Sequence, residues 1–253
     1  LEGEKISGSR NWAVWGLDFL TRYDPDPLRY YLTANMPETK DTDWDWNEFL
    51  LRNNGELVAT WGNLANRVLS FSYKHWEGHA PDPGELRPYD HEILSTIEAG
   101  FQTVGEHIEA VRLRAALGEA MRLASEVNKY LDTVAPWFEI KTDKEQAPKA
   151  IYTALRAIDS LKTLFAPFLP FSSERLHSYL GYSQPLFGEQ YTETITDSLG
   201  EHIALRYRPA GNGNRWLPSQ LPAGQALVQP APLFRKLEPS IVEEERSKLG
   251  KHS

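Results

Sequence analysis

The sequence predicts a mainly α-helical protein, built as a helical bundle with a short N-terminal region and a small C-terminal extension. Two observations carry this prediction. Four long stretches repeat apolar residues at the helical period, and the connectors between them are short or rich in Pro and Gly, which end helices. At 253 residues the chain is long enough for one large domain or two small ones with a buried core.

The region before the bundle is predicted to hold only short elements. We expect a loop over residues 1–10, a short strand over 11–15, a helical turn or two over 17–23 and a helix over 28–35. Asp26 is the expected N-cap of that helix, because a carboxylate accepts hydrogen bonds from the free N–H groups of a first turn, and Pro27 suits the first turn. The helix should end before Pro37.

The first bundle helix is predicted over residues 46–72, with N-cap residues available at 41–45. Within it, the stretch ELVATWGNLANRVLSF at 56–71 has two different faces. Its apolar residues form a stripe wide enough to enter a core. Asn63 and Arg67 lie on the opposite face, four residues apart and therefore one turn above the other. Such a pair can read the edge of a nucleotide base, although a solvated bundle face has the same pattern.

The other predicted elements follow breaker-rich connectors. Three more bundle helices are expected over 89–107, 112–133 and 147–168, after a Pro/Gly-rich loop at 79–88. A short fifth helix should start with Ser172 as its N-cap and end near Gly181. Alternating residues at 191–197 and 202–207 predict a small hairpin around Leu199 and Gly200. We expect irregular structure over 211–230 and a charged helix or tail over 241–249.

Composition and charge limit the classes of function. The formal net charge of −8 argues against a protein that coats nucleic acid non-specifically, since such proteins expose a dense surface of Lys and Arg. It is compatible with a local site that reads unstacked bases. The absence of Cys fits a cytoplasmic protein and removes thiolate zinc ligands, so we expect no metal site. We also expect no membrane association, because no apolar run is long enough to span a bilayer.

The N-terminal loop is a candidate phosphate site. Lys5, Ser7, Ser9 and Arg10 combine two cations with two hydroxyl groups around Gly8, and such a loop can wrap a polyphosphate. Any solvated loop can carry the same residues, so the pattern is not specific by itself. The sequence lacks the GxSxG motif, a Walker-type loop and a GxGxxG motif after a strand, which mark other enzyme classes.

Trp137 is a candidate stacking platform. It follows Pro136 directly after the third bundle helix, where Pro sets the direction of the chain and can hold the indole outward. The alternative is a Trp folded back over the bundle. His75 and His79 flank Glu77 in the manner of a metal pair, but the neighbouring Gly and Pro residues favour solvated side chains outside a helix.

These stretches resemble the C-terminal half of the methionyl-tRNA synthetase family, from residue 1 to about residue 250. KISGS at 5–9 resembles the KMSKS loop, and RYDPDPLRYYLTANMPETKDTDW at 22–44 resembles the segment after it. NNGELVATWGNLANRVLSF at 53–71 and NKYLDTVAPW at 128–137 complete four motifs in matching order and spacing. Because Leu1 stands in the first place rather than Met, we expect the chain to be a fragment of a longer protein.

The resemblance implies a fold and a division into three parts. It implies a KMSKS-type loop with a stem-contact region over residues 1–46. An anticodon-binding helical bundle of the class I synthetase type follows over 47–182, and a C-terminal extension with the hairpin and a tail over 183–253. The nucleotide-binding fold of the family has no counterpart in the sequence. The chain alone is therefore expected to be inactive and to bind no cofactor.

For the full-length protein, the resemblance implies methionine–tRNA ligase activity with ATP and Mg. Methionine and ATP form methionyl-adenylate, and the methionyl group then passes to the tRNA. Lys5, Ser7 and Ser9 match the loop that steadies the ATP phosphates, while Gly8 stands where the pattern has its second Lys. We expect Lys5, together with Arg10, to supply the cationic contact.

The resemblance also implies a partner, methionine tRNA with the anticodon CAU. Asn63, Arg67 and Trp137 match the base-reading positions of the family, with Pro136 beside them. Arg carries only donors, so it suits the acceptors N3 and O2 of cytosine and meets an N–H at N3 of uracil. Asn can donate or accept, and a stacked base contributes roughly 1 to 3 kcal/mol on an aromatic ring.

Two other functions remain open from the sequence. The same Trp and Arg residues are typical of protein hot spots, so the bundle could be a protein–protein interaction module without RNA binding. Binding that weakens steeply with salt would favour RNA, and an apolar protein interface would lack that dependence. The fragment could also have no binding strength of its own, if a missing catalytic domain holds the acceptor end of the tRNA.

Overall fold

A computed structural model describes residues 1–38, 41–143, 145–209 and 216–250. Most of the described residues are helical, as predicted. The helices are α1 Gly16–Leu20, α2 Pro25–Ala34, α3 Trp46–Arg52, α4 Asn63–His75, α5 Pro88–Glu109, α6 Leu113–Val134, α7 Pro136–Thr142, α8 Gln146–Phe165, α9 Pro170–Tyr179 and α10 Ile241–Arg246, with a π-helical segment at Asn53–Gly62. The strands are β1 Glu189–Asp197 and β2 Gly200–Arg208.

The long first bundle helix is confirmed, but it is not uniform. α3, the π-helical segment and α4 follow one another without a break from residue 46 to residue 75. Asp45 caps the start, because its carboxylate accepts the N–H of Glu48 at 2.8 Å. Apolar spacing does not predict the π-helical segment, since it does not distinguish helices with i−4 bonds from those with i−5 bonds.

The core of the bundle lies between this long helix, α5, α6 and α8, which confirms the three other bundle helices. Trp61 is fully buried and packs on Phe165, with ring centroids 4.9 Å apart. On α5, Gly100 faces Leu123 so closely that an added Cβ would lie 2.3 Å from a methyl carbon. Small residues thus let the helices approach; the buried alanines of α6 and α8 include Ala116, Ala120, Ala124, Ala150, Ala154 and Ala157.

The predicted caps at Asp26 and Ser172 are wrong, and one contact explains both. α2 begins at Pro25, before Asp26. The buried Asp26 carboxylate instead accepts the N–H groups of Phe171 at 3.3 Å and of Ser172 at 2.6 Å, in the first turn of α9. α9 itself begins at Pro170, so Ser172 lies inside it. A carboxylate from a distant helix thus satisfies free donors at the start of α9, in place of a capping residue within the local sequence.

Two shorter elements and the end of one bundle helix also differ from the prediction. Residues 11–15 form no strand; Ser7 and Trp12 form a single antiparallel bridge that closes a turn. The chain from Pro136 to Thr142 forms a helix, α7, where no element was predicted; Pro suits its first position because it lacks only an N–H that would have had no partner there. α8 ends at Phe165, before Pro167, and not at residue 168.

A second hydrophobic cluster joins the N-terminal region to the C-terminal segment. Phe19, Tyr31, Trp46 and Phe49 are buried in it, and Phe19 and Phe49 meet edge to face with ring centroids 5.6 Å apart. α10 closes this cluster through Ile241 and neighbouring apolar residues. Many aromatic rings in one small cluster give it a large buried apolar area.

The C-terminal segment 216–250 packs back on the bundle, a point that the sequence left open; residues 210–215 and 251–253 lie outside the described part. Leu221, Leu227, Leu233 and Phe234 enter the main core. Gly62 allows this contact, since a Cβ there would lie 3.0 Å from the Phe234 ring. Apart from α10, the segment has no regular structure, so the irregular character predicted for 211–230 is confirmed for 216–230.

A buried polar network also holds this segment. The Lys162 ammonium lies 2.5 Å from the Asp159 carboxylate and 2.9 Å from Nδ1 of His177. The hydroxyls of Ser219 and Tyr182 donate to Asp159 at 2.6 Å and 2.8 Å. Burial, and then the charge of Lys162, lower the pKa of His177 to about 4. The network therefore links α8, α9 and the C-terminal segment with a neutral His at its edge.

The predicted hairpin is confirmed. β1 and β2 pair antiparallel, with Asp197 opposite Gly200 across a two-residue turn. Gly200 has a φ of +93°, which disfavours other residue types there. One face of the hairpin is exposed, including Ile203 and Leu205. Within the described residues, none of the helices is both long and apolar enough to span a bilayer.

Candidate nucleic-acid interface

The two groups of residues singled out on the bundle meet in space. α4 presents Asn63 and Arg67 one turn apart. α6 ends at Val134, and Ala135 takes a left-handed conformation with φ 45° and ψ 57°, which reverses the chain into α7. This reversal brings the Trp137 ring against α4, where its centroid lies 4.5 Å from the guanidinium carbon of Arg67. The pair has the geometry of a cation–π contact.

Arg67 is held by two side chains of α6 that the sequence did not single out. Its Nη2 donates to Oδ1 of Asn128 at 3.2 Å, and its Nη1 lies 3.6 Å from Oδ1 of Asp132. The Asn128 amide nitrogen in turn donates to the carbonyl groups of Thr60 at 3.0 Å and Ala124 at 3.2 Å. Both ends of the Asn128 amide are used, so its oxygen faces Arg67. In the sequence, only the i, i+4 spacing of Asn128 and Asp132 on a polar helix face could have indicated that the two side chains act together.

α4 and α6 form the walls of an open groove of about 660 Å³. Asn63, Asn66 and Arg67 line one wall, together with Ala59 and Thr60. The lining residues of the other wall are Ser125, Asn128, Lys129 and Asp132. Asn63 is exposed, and its amide forms no hydrogen bond with any other described residue. The groove therefore offers the unbonded amide of Asn63 and the partly exposed guanidinium of Arg67, groups that can pair with the edge of a planar base.

Trp137 combines features of both alternatives for it. The ring is half-buried, and it meets Phe71 edge to face with centroids 5.5 Å apart, so it does pack on the bundle. One ring face is nevertheless covered by the guanidinium of Arg67, which itself lines the groove. Pro136 is buried at the first position of α7, where it sets the direction of the chain that carries Trp137. The neighbouring Phe138 is 68% exposed.

The N-terminal loop is a tight turn closed by its backbone. The Ser7 N–H donates to the Trp12 carbonyl at 2.9 Å, and the Trp12 N–H donates back to Ser7 at 2.8 Å. The hydroxyls of Ser7 and Ser9 are 3.3 Å apart. Arg10 lies 3.6 Å from the Glu4 carboxylate, whereas the exposed Lys5 has no ion-pair partner among the described residues. Two hydroxyls and a free ammonium suit a polyphosphate.

The loop and the groove are separate sites. The loop is tied to the C-terminal segment, where Gly250 donates to the carbonyl of Asn11 and Arg246 pairs with Glu2 at 2.7 Å. The groove belongs to the bundle. The described residues hold no group of three or more His, Asp and Glu side chains placed to bind a metal ion. His79 contacts the carbonyl of Glu77, and His75 packs on the Phe71 ring.

The chain is similar to two family models and to many known proteins. The model for class I tRNA synthetases of the methionine type matches residues 1–69, and the model for the anticodon-binding domain of methionyl-tRNA ligase matches residues 80–204. A methionine–tRNA ligase of Thermomicrobium roseum is 53% identical over 251 residues, and one of Chloroflexus aggregans is 50% identical over 250 residues. Each match covers 98% of this chain and 43% or 42% of the relative.

Solved structures support the fold. The apo form of Mycobacterium tuberculosis methionyl-tRNA synthetase superimposes with a TM-score of 0.72 at 23% identity, over 89% of this chain and 41% of that protein. The same enzyme bound to methionyl-adenylate gives a TM-score of 0.70 at 22% identity, over 87% of this chain and 39% of that protein. The chain thus spans about two fifths of the length of the relatives that it matches.

Proposed function

Because the chain belongs to the methionyl-tRNA synthetase family, we propose that it reads the CAU anticodon of methionine tRNA. The enzyme that it serves attaches methionine to this tRNA with ATP. In this proposal the chain has three parts: a loop with a stem-contact region at 1–46, an anticodon-binding bundle at 47–182 and a C-terminal extension at 183–253. Since charged tRNA is used in translation, we expect the protein to be located in the cytoplasm. A nucleotide-binding catalytic domain is required in the same protein, and the chain alone is inactive.

The observation that carries the proposal is that Arg67 lines an open polar groove and at the same time contacts the ring of Trp137 beside it. A base placed there can stack on the indole and direct its polar edge to Arg67 and Asn63. Arg67 can only donate hydrogen bonds, so it can pair with N3 and O2 of cytosine, which are acceptors. It disfavours uracil, because N3 of uracil carries a proton. A bidentate contact of this kind contributes roughly 1 to 3 kcal/mol of discrimination in DNA readout.

The magnitudes favour a rearrangement of Arg67 on binding. Its guanidinium now covers the ring face on which a base would stack. The exposed ion pair of Arg67 with Asp132 contributes at most about 1 kcal/mol, and an exposed cation–π contact contributes a similar amount. A stacked base contributes roughly 1 to 3 kcal/mol. If Arg67 keeps its hydrogen bond to Asn128, the contacts that it gives up are matched by a stacked base, so the guanidinium can leave the ring and direct its remaining donors to the edge of that base.

The N-terminal loop supports ATP use by the whole protein. Lys5, Ser7 and Ser9 place one unpaired ammonium and two hydroxyls on a backbone-closed turn, which suits the phosphates of ATP with its Mg. In the proposal, Lys5 offsets the charge that develops on the phosphates when methionyl-adenylate forms, and the serine hydroxyls donate to phosphate oxygens. The solved relative bound to methionyl-adenylate is consistent with such a product.

The proposal is tested by binding of labelled methionine tRNA to the chain. The controls are the same tRNA with its first anticodon base changed from C to U, and a Trp137→Ala variant of the protein. Tight binding that is lost in both controls is expected. Equal binding of the two tRNAs would contradict anticodon reading at this groove. The comparisons do not favour the protein-interaction alternative, and it would also require binding that changes little with salt.

A further inference from the structure

A second groove lies on the other side of the exposed face of α4. Its volume is about 540 Å³, and it shares Asn63 and Asn66 with the first groove, which lies between α4 and α6. Its far wall is formed by the C-terminal segment at 232–236 and by Arg175 of α9. The two grooves are therefore adjacent, with the two asparagine side chains between them.

The second groove is positively charged in an acidic protein. Arg175, Arg235 and Lys236 line it, and Asp24 is the one acidic residue among its described lining residues. None of the three cations has a carboxylate within ion-pair distance in the described part of the chain. Many arginines elsewhere on the surface are paired, for example Arg122 with Glu119 at 2.7 Å, although Arg29 and Arg112 have no ion-pair partner among the described residues. The formal net charge of the whole chain is −8.

Two of the cations are positioned without being neutralised. Arg175 donates to the carbonyl of Leu233 at 2.7 Å, and Arg235 donates to the carbonyl of Arg22 at 3.2 Å. Lys236 is exposed and has no hydrogen bond to any other described residue. The backbone N–H groups of Phe234 and Arg235 also donate to no described acceptor. The groove thus holds three cations that have no ion-pair partner among the described residues, two of them positioned by backbone carbonyl groups, and such a cluster can bind anionic oxygen atoms.

We propose that this groove binds phosphate groups of the tRNA whose anticodon bases enter the neighbouring groove. The inference rests on the proposed function, because it assigns the backbone of the same RNA to a second surface. The sugar and phosphate of a base held by Asn63 and Arg67 would lie beside α4. The RNA backbone that continues past Asn66 would then reach the three cations of the second groove. Contacts to phosphates set register and affinity, while contacts to base edges set sequence preference. The two grooves divide these tasks.

The division gives the two grooves different signatures in binding experiments. Lys236→Ala and Arg235→Ala, alone and combined, are expected to weaken cognate tRNA on the order of fivefold per substitution. The slope of log affinity against log salt should become less negative by about 1 per removed cation. The ratio of affinities for the CAU and UAU anticodons should not change. Arg67→Ala should lower that ratio instead.

A matched control removes the same charge elsewhere. Arg206→Ala with Arg208→Ala also lowers the net charge by two, but on a hairpin where these side chains are paired with Glu193 and Glu189. Those variants should leave the affinity and the salt slope near the wild-type values. Circular dichroism and thermal unfolding of all variants show whether each one is folded.

The outcomes separate the two proposals. If wild-type protein does not distinguish CAU from UAU, the proposed function fails. If wild type distinguishes them but Arg235→Ala with Lys236→Ala leaves both affinity and salt slope unchanged, only the phosphate groove is overturned, and an acidic protein partner becomes its better assignment. Inorganic phosphate at millimolar concentration should not compete measurably, because a single free ion lacks the neighbouring base contacts; strong competition would indicate an isolated phosphate site instead.

Discussion

Asn128 shows how a single side chain can organise a site without being visible in a motif. Its amide nitrogen is anchored on two carbonyl groups, those of Thr60 and Ala124, and its oxygen accepts from Arg67. Thr60 belongs to the π-helical segment that precedes α4. The orientation of Arg67 therefore depends on the unusual backbone of its own helix through a residue of another helix.

Replacing Asn128 with Ala should lower discrimination between the CAU and UAU anticodons by about fivefold, since one net hydrogen bond contributes about 1 kcal/mol. The change should also lower the free energy of unfolding by a similar amount. Titrations of both tRNAs measure the first effect, and urea unfolding measures the second. Ser125→Ala is the control, because Ser125 lines the same wall but donates to the Met121 carbonyl. Unchanged discrimination in Asn128→Ala would show that Arg67 needs no such support.

Gly8 stands where the family pattern has a Lys, so the N-terminal loop lacks the second cation of that pattern. An added Cβ at Gly8 would meet no atom closer than 3.8 Å, the nearest being on the exposed Trp15 ring. The backbone there is accessible to ordinary residues, so a larger side chain fits. The absence of the second cation is thus not a steric necessity of the turn.

In a protein that joins this chain to its catalytic half, Lys5→Ala should slow adenylate formation on the order of 100-fold, the typical effect of removing one preorganised donor. Gly8→Lys in the Lys5→Ala background should restore part of the loss, because it returns a cation to the same turn. Pyrophosphate exchange measures both. Lys141→Ala, an exposed Lys of α7, is the control. Lys5→Ala with an unchanged exchange rate would remove Lys5 from the reaction.

At the scale of elements, the ends of helices show most clearly where local patterns stop being sufficient. The periodic stretches predicted α4, α5, α6 and α8, because a helix face depends on spacing alone. The N-terminus of α9 depends on Asp26 of α2, which lies 145 residues away from Phe171 along the chain. A free N–H group at the start of a helix can donate to any acceptor that reaches it, and the sequence does not show which acceptor does.

Asp26→Ala should lower the free energy of unfolding by about 2 to 3 kcal/mol, since two N–H groups of α9 lose their acceptor in a buried place. Asp26→Asn keeps one acceptor oxygen and should cost about 1 kcal/mol. Urea unfolding measures both differences. Asp24→Ala, an exposed residue without a capping hydrogen bond, should stay within about 0.5 kcal/mol of wild type. Equal effects at positions 24 and 26 would mean that Asp26 does not cap α9.

At the scale of the whole molecule, the C-terminal segment connects parts that are far apart in sequence. It supplies Leu233 and Phe234 to the bundle core and α10 to the N-terminal cluster. The buried carboxylate of Glu245 in α10 accepts from Arg22 at 2.9 Å and from the Tyr23 hydroxyl at 2.9 Å. The segment therefore fixes the N-terminal region against the bundle and shapes the second groove at the same time.

The buried network predicts a pH dependence of stability. His177 has a pKa of about 4 in the folded protein and about 6.5 when unfolded, because burial and Lys162 disfavour its charged form. Between these values the unfolded state binds more protons, so stability falls as pH decreases from about 6.5 to 4. The slope from this residue is at most about 1.4 kcal/mol per pH unit.

Urea unfolding across pH 4 to 7 measures this dependence. His177→Gln cannot titrate and should show a shallower decrease than wild type, whereas His91→Gln on the exposed surface of α5 should follow the wild-type curve. Parallel curves for wild type and His177→Gln would exclude His177 as the group that titrates. Comparing slopes, rather than single values, separates this effect from the general cost of the substitution.

The helical class, the four bundle helices, the hairpin and the family could be predicted from the residues alone, because these depend on periodic spacing, turn residues and ordered motifs along the chain. It also singled out Asn63, Arg67 and Trp137, although their role in binding stays a prediction. The packed fold was needed to show that Arg67 lies over Trp137, that Asn128 holds it and that Asp26 caps α9. These contacts join residues 61 to 146 positions apart. Such pairs leave no local pattern, since their geometry exists only after the helices have packed.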